Sequence, residues 1–439
     1  MNTPIFDFVR RYTKSGAKRL HMPGHKGENF LGCEEFDITE ISGADSLYEA
    51  SGIIKESEDN ASSLFSCNTF YSTEGSSQCI RAMLYLATVD AKANGKKPLV
   101  LATRNAHKVF LSAAAMLDFD IEWLYGDSYL SCNADVVAVE NAILAHKPTA
   151  LYITSPDYLG NIADIAALSI VCKKHGVLLL CDNAHGAYLK FLDKSLFPID
   201  LGADMCASSA HKTLPVLTGG AYLHIASDSV AKDAKRALEL FGSTSPSYII
   251  LQSLDIANSY IASGYKERLC AFIKEVDALK AELKKCGYTL YGDEPLKITL
   301  ATKAYGYLGN DFASELEKRG FVCEFCDNDF AVLMLTPENG CLDGLKSALL
   351  SIEKRVKITS SAPSPKKCER VMSVREAAFA SNETICAANA LGRVLAASSV
   401  GCPPAVPIVA MGERIDENAI ECFKYYGIEK CTVIKNADA

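Results

Sequence analysis

Between Ser66 and Ile225 the chain repeats one pattern: a short apolar run, then a longer stretch with helical periodicity. The runs are Thr69-Phe70-Tyr71, Pro98 to Ala102, Asp120 to Tyr125, Ala150 to Thr154, Val177 to Cys181, Ala203 to Ala207 and Gly220 to Ile225. Ser77 to Asp90 and Ala163 to His175 are helical stretches of the pattern. Helices that alternate with short apolar strands cross over between parallel neighbours and cover both faces of a sheet. The expectation is an α/β domain with a mostly parallel sheet, whose ligands gather at the carboxyl ends of the strands.

With 439 residues there is room for one large domain and a smaller one. Long helical patterns at Ser247 to Ser263 and Lys266 to Lys285 close the α/β region. Residues 1–290 are expected to form an N-terminal arm and the large domain, and 291–439 a smaller α+β domain. In the latter, Phe321 to Leu335 reads as a hairpin turning at Asp327-Asn328-Asp329. Residues 357–370 read as a linker, Lys357 to Cys368 being rich in Ser, Pro and Lys. The last segment, Ser373 to Lys435, shows two helical patterns around Pro403-Pro404-Ala405-Val406-Pro407 and ends on a strand, Cys431 to Ile434.

Composition narrows the class. The apolar fraction of 49% and charged fraction of 22% are those of an ordinary globular protein. A formal charge of −8 with no basic stripe argues against a nucleic-acid partner. The start, Met1-Asn2-Thr3-Pro4-Ile5-Phe6-Asp7, lacks a basic stretch ahead of an apolar core, and no apolar run reaches membrane-spanning length. Seventeen scattered cysteines in such a chain read as reduced thiols in a cytoplasmic protein. Cys323-Glu324-Phe325-Cys326 has CxxC spacing without a second pair, so the two are read as structural, on opposite faces of a hairpin strand, and no metal is expected.

Two stretches carry chemistry. Leu178-Leu179-Leu180-Cys181-Asp182 is a buried strand ending on an acid, followed by Asn183-Ala184-His185-Gly186. Thirty residues on, Ser208-Ser209-Ala210-His211-Lys212 leads a small, hydroxyl-rich run into a lysine, with Gly219-Gly220 beyond. Together they suit pyridoxal 5'-phosphate: a lysine amine forms a Schiff base with its aldehyde, and a carboxylate keeps the ring nitrogen protonated. Tyr71-Ser72-Thr73-Glu74-Gly75-Ser76-Ser77, between a strand and a long helix, offers N–H groups, a dipole and hydroxyls to a phosphate. Arg104-Asn105-Ala106-His107-Lys108 follows the next strand, and His107 is placed to stack on the ring. Five of the eight histidines (His21, His25, His107, His185 and His211) fall in loops assigned to this one site.

Nearly end to end, the sequence resembles the fold type I Orn/Lys/Arg decarboxylases, in their short bacterial form without a receiver-like domain. The motifs that carry the resemblance include His21-Met22-Pro23-Gly24-His25-Lys26-Gly27 and Gly43-Ala44-Asp45-Ser46-Leu47. Arg104 to Lys108, Thr154 to Gly160, Asp182 to Gly186 and His211 to Thr218 continue it, with Ser243 to Tyr248 and Met372 to Ala377. The resemblance implies that Lys212 forms the Schiff base and Asp182 pairs with the ring nitrogen. His107 stacks on one ring face, Ala184 packs the other and His185 sits by the phenolic oxygen. Ser72, Thr73, Gly75, Ser209 and His211 become the phosphate cup, with Thr244 or Ser245 reaching the phosphate of a neighbouring subunit. The alternative for Ser243 to Tyr248 is a helix start with Pro246 at its first position. A homodimer or higher homo-oligomer with shared active sites is implied.

The implied reaction removes CO₂ from arginine, lysine or ornithine to give a polyamine or its precursor, Lys212 or His107 returning a proton to Cα. A carboxylate is needed to grip the cationic end of such a substrate, and Asp45, Glu74, Asp157 and Glu413 are candidates. Asn183, where an acid is common, departs from the family pattern, as do Asp157, Ala106, Val109 and Ser46, and this leaves the amino acid open. The alternative is another reaction of the same cofactor, an aminotransferase or an aldolase-type lyase.

Overall fold

The computed structural model describes residues 1–126, 134–340, 342–402 and 406–435; Pro403-Pro404-Ala405 therefore lies outside the described residues. Helices α1 (Pro4–Lys14) and α2 (Ile53–Phe65) precede strand β1 (Asn68–Ser72) and helix α3 (Gly75–Ala93). Next come β2 (Leu99–Thr103), α4 (Lys108–Leu117), β3 (Asp120–Leu124), α5 (Val136–His146), β4 (Ala150–Thr154) and α6 (Ile165–His175). Then follow β5 (Leu178–Asp182), β6 (Met205–Ser208), the short α7 (Ala210–Thr213) and β7 (Ala221–Ile225). Helices α8 (Asp228–Ala231), α9 (Ala234–Glu239), α10 (Tyr248–Ala262) and α11 (Tyr265–Lys285) complete this part. All seven expected strands form, each within two residues of its sequence bounds.

The chain divides into two compact units, Met1–Ala93 with Ile165–Cys270, and Asn94–Asp164 with Ala271–Ala439. In the first, four strands of the large sheet lie in the order β1, β7, β6, β5. β5 and β6 are parallel, while β7 runs against both β6 and β1. The register pairs Asp182 with Ala207, Ser208 with Tyr222 and Ser72 with Ala221. The carboxyl ends of β1, β5 and β6 thus meet the start of β7 along one edge, which bears the Ser72–Ser77, Asp182–Gly186 and Ser208–Lys212 stretches. Leu179, Leu180 and Cys181 are fully buried, as a strand covered on both faces must be.

Helix α1 starts with Pro4, which needs no N–H partner, but its N-cap Thr3 gives no side-chain cap. Asp255 of α10 does that work: its Oδ2 accepts from Ile5 N at 2.9 Å and Phe6 N at 3.0 Å, and its Oδ1 from the Ser57 hydroxyl at 2.6 Å. Burial pushes the Asp255 carboxyl up to about 6, against the lowering pull of these hydrogen bonds. Pro246 is not the first residue of α10. Ser247 is the N-cap, its hydroxyl accepting from Ile250 N, so Pro246 stands one place before the cap.

In the second unit three strands lie in the order β4, β2, β3, all parallel. Its later part holds β8 (Leu290–Tyr291), β9 (Lys297–Ala301), α12 (Gly309–Glu317), β10 (Phe325–Cys326), β11 (Phe330–Met334) and α13 (Leu342–Leu350). The strands form an antiparallel sheet, β10, β11, β9, β8. The expected hairpin is β10–β11; Asp327 Oδ1 makes its turn by accepting from Asp329 N and Phe330 N. Cys323 lies ahead of β10, so it does not alternate with Cys326 on one strand. Residues 353–369 carry no regular structure, as the Ser/Pro/Lys-rich stretch predicts.

The chain then runs through α14 (Val374–Phe379), β12 (Asn382–Cys386), β13 (Ser399–Cys402), β14 (Val406–Ala410), α15 (Glu417–Tyr425) and β15 (Lys430–Ile434). The first helical pattern of this segment is thus a single short helix, opened by a Ser373–Glu376 capping box. It gives way to β12, whose alternation of exposed and half-buried residues pairs it with β15. Leu395, Ile408, Val409, Ile415, Phe423 and Val433 form the core here. The cysteines whose side chains are described are all free thiols, and of these only Cys286 and Cys386 are exposed; among the described residues no helix is long and apolar enough to cross a membrane.

Candidate active site

Lys212 sits on α7, directly after β6, and its Nζ lies 3.1 Å from His185 Nε2. His185 belongs to the turn that leaves β5, closed by Gly186 N donating to Asn183 O at 2.9 Å. Asp182, last residue of β5, is 2% exposed, and its Oδ1 accepts from Ala184 N at 3.2 Å. Ala184 is itself buried. The two loops are tied by Asn183: its N–H donates to Ala207 O and its Nδ2 to the Ser208 hydroxyl at 2.9 Å. A neutral amide does here what an acid could not do as a donor, fixing the acid-bearing strand end against the lysine-bearing one.

The turn from β1 to α3 lies on the same edge. Ser209 donates its hydroxyl to Ser76 Oγ at 2.8 Å, joining the lysine loop to the start of α3. His211 is held to Gly220 O by its backbone N–H at 3.1 Å and by its ring Nδ1 at 2.9 Å. Because a carbonyl only accepts, Nδ1 carries the proton. Burial, reinforced by the Lys212 charge, holds the ring's pKa below its ordinary value despite that hydrogen bond. Gly75 has φ +73° and donates its N–H to Gly219 O at 2.7 Å; a Cβ there would meet nothing within 4 Å. Gly219, at φ +101°, packs so closely that a Cβ would lie 2.8 Å from the buried Thr73's carbonyl oxygen.

The hydroxyl of Ser72 donates to Gln78 Oε1 at 2.5 Å and accepts from Glu74 N at 3.1 Å, so it braces the turn. With the N–H groups of Glu74 and Gly75 taken, those of Ser76 and Ser77 are the first on α3 without a hydrogen-bond partner. Thr244 is exposed, next to Ser243, whose N–H donates to Glu74 Oε1. The structure therefore brings Ser72, Thr73, Gly75, Asp182, Ala184, His185, Ser209, His211 and Lys212 to one edge of the first unit, with Thr244 on a loop bonded to it. Ser76 and Ser208, from the same stretches, join them, and Gln78 supports them from outside the edge. A serine in a loop has no distinguishing signal, and Gln78 is a helical residue whose importance comes only from what it touches.

His21 and His25 lie on the N-terminal arm, His21 Nε2 at 2.6 Å from the Tyr12 hydroxyl and His25 Nε2 at 3.3 Å from Asp37 Oδ2. In the second unit His107 is the N-cap of α4, its Nδ1 accepting from Val109 N, and its side chain is exposed. Three residues before it Arg104 is 4% exposed and spends its guanidinium on a bidentate pair with Glu413, both contacts 2.7 Å, and on the carbonyls of Pro407 and Ile408. Among the described residues no group of three or more His, Cys, Asp or Glu is arranged to hold a metal.

The family described as Orn/Lys/Arg decarboxylase, major domain, matches residues 3–289. The chain belongs to the Orn/Lys/Arg decarboxylase family. Membership makes it an amino-acid decarboxylase. The arginine decarboxylase of Halalkalibacterium halodurans is 28% identical over 461 residues, covering 95% of this chain and 91% of that protein. The uncharacterized protein YaaO of Bacillus subtilis is 28% identical over 470 residues, 96% of this chain and 93% of its own. The constitutive lysine decarboxylase of E. coli superposes with a TM-score of 0.74 at 17% identity, over 99% of this chain and 82% of that one. That likeness shows the fold, which is fold type I of the pyridoxal-phosphate enzymes.

Within this decarboxylase, the four acids considered for the distal end of a substrate each serve the fold. Asp45 accepts from five backbone N–H groups, those of Ser46, Ser51, Gly52, Ile54 and Lys55, and so caps α2. Asp157 accepts from the N–H and side-chain amide of Asn161, its carboxyl pushed up to about 6 by burial. Glu413 holds Arg104, and Glu74 holds Ser243.

Proposed function

We propose that the protein removes the α-carboxylate of arginine, lysine or ornithine, with pyridoxal 5'-phosphate bound through Lys212. The observation that carries this is the Lys212 amine 3.1 Å from His185, on the edge where β5 ends in the buried carboxylate of Asp182. The donor set fits the cofactor. A lysine amine suits an aldehyde, and a buried acid suits a pyridinium. The unpartnered N–H groups of Ser76 and Ser77, at the start of the 19-residue helix α3, suit a phosphate dianion.

When bound, the cofactor supplies a protonated ring that takes up the electron pair released as CO₂ departs. Asp182 would pair with the ring nitrogen and hold its proton in place. His185 and Ala184 would orient the ring, while Ser209, His211, Thr73 and Gly75 would line the phosphate's seat with Ser72 bracing it. Lys212 or His107 would return the proton to Cα, and the family resemblance gives His107 the ring-stacking role. Residues 1–290 make up the cofactor-binding part and 291–439 the smaller domain. The working form is a homodimer in which Thr244 serves the neighbouring subunit.

The test is release of ¹³CO₂ from carboxyl-labelled arginine, lysine and ornithine by the holoenzyme, with Lys212→Ala as control. Release from one of them, lost in the variant, is the expected result. A cofactor absorbance band with no release from any of the three would refute the basic amino-acid substrate and favour another reaction of the same scaffold.

A further inference from the structure

Gln78 is 1% exposed, and every hydrogen-bonding atom of its side chain is engaged. Its Nε2 donates to the Tyr48 hydroxyl and to Leu238 O, both at 2.8 Å, and its Oε1 accepts the Ser72 hydroxyl at 2.5 Å. The Leu238 carbonyl fixes which way the amide faces, because an amide oxygen turned toward it would set two acceptors together. Ser72 must therefore give its proton to Gln78, and its lone pair is left for Glu74 N–H. Ser72 thus occupies the Glu74 N–H, as Gly219 O occupies that of Gly75, and the N–H groups of Ser76 and Ser77 follow as the ones left over.

A second contact runs the other way. A Cβ on Gly242 would overlap the Tyr48 hydroxyl and the Gln78 amide, so the glycine is seated against the pair. The next residue, Ser243, donates its N–H to Glu74. Gln78 thus touches the supports of both the β1–α3 turn and the Ser243–Ser245 loop without lying on the cofactor edge itself.

We infer that Gln78, with Tyr48 and Gly242, is the positioning device of the phosphate seat: it sets which donors the turn presents and holds the Ser243–Ser245 loop beside it. The inference deepens the proposed function and rests on it for the identity of the ligand. Gln78→Met keeps the volume and removes all three hydrogen bonds. The apoenzyme variant is titrated with pyridoxal 5'-phosphate and with pyridoxal, which lacks the phosphate, and followed by absorbance. Amide exchange of residues 72–77 and 242–246 is measured alongside.

The expected result is a phosphate-specific loss, with pyridoxal 5'-phosphate bound about tenfold more weakly, the scale of one lost charge-assisted hydrogen bond, and pyridoxal unchanged. Exchange is expected to speed up in both segments and to stay unchanged in β5 and β6. Equal weakening of the two ligands, or unchanged affinity and exchange, would overturn the inference. Should Gln78→Met not fold, Tyr48→Phe removes one acceptor alone and is expected to shift the same ratio and exchange less far; no shift there overturns it too. If the wild-type chain bound neither ligand, the proposed function would fail, and the exchange comparison alone would decide whether Gln78 positions the turn.

Discussion

Two glycines on the active-site edge differ in what a methyl group would meet. Both have positive φ, where any L side chain is strained by about 1–2 kcal/mol. Gly75 faces open space, whereas Gly219 faces the Thr73 carbonyl at 2.8 Å. Gly219→Ala is therefore expected to lower the melting temperature and cofactor affinity more than Gly75→Ala, a ranking that thermal unfolding and absorbance titration would check. Glu413 gives a second contrast. Removing it leaves Arg104 buried and unpaired, so Glu413→Ala is expected to cost about 3–5 kcal/mol in denaturant unfolding. A substrate-gripping acid would instead raise KM at unchanged stability. The amine of Lys212 and the acid of Asp182 stand out in the sequence because the proposed chemistry calls for those residue types. The acids at Asp45, Asp157 and Glu413 do not, since a carboxylate that caps a helix and one that binds a substrate look the same until their partners are known.

At the scale of elements, the attachment of α1 depends on one ionisable group. Asp255 holds its proton up to about 6 in the folded chain against an ordinary value of 3.8. Below 3.8 both states are protonated. Between the two values the native state keeps a proton that the unfolded chain has lost, so stability falls as pH rises and levels off above about 6. Asp255→Asn removes this dependence. The gap in melting temperature between wild type and variant is expected to be larger at pH 4.5 than at pH 7.5. The strands of the large sheet were readable as short apolar runs, because burial on both faces leaves no polar interruption. The strand Asn382–Cys386 was not, since its polar, half-exposed alternation follows closely on a capped helical pattern. Local rules are weakest where a small domain has little core with which to override them.

For the molecule as a whole, the α/β class and the placing of the lysine and acid motifs at strand ends are legible in the sequence, because both follow from periodicity and residue type. The network through Gln78 is not, because hydrogen bonding between distant segments leaves no periodic trace. The N-terminal arm leaves Leu20 at 94%, Phe30 at 82% and Leu31 at 85% exposure, with Met22 also exposed. Apolar side chains gathered in one segment are a surface suited to another copy of the chain. Light scattering is expected to find twice the mass of a single chain, and Phe30→Glu with Leu31→Glu to shift the protein toward the monomer.

The cysteines give the fold a chemical clock. Of the cysteines whose side chains are described, an alkylating reagent meets Cys286 and Cys386 first in the native protein. Cys79 and Cys172 are shielded twice over, since they are buried and burial also pushes their thiols up to about 12, leaving almost no thiolate to react. Cys181 and Cys206 are paired across β5 and β6, one residue before the Asp182–Ala207 pair. Their labelling would time the opening of the strands that carry the active-site edge, separately from fraying elsewhere in the chain.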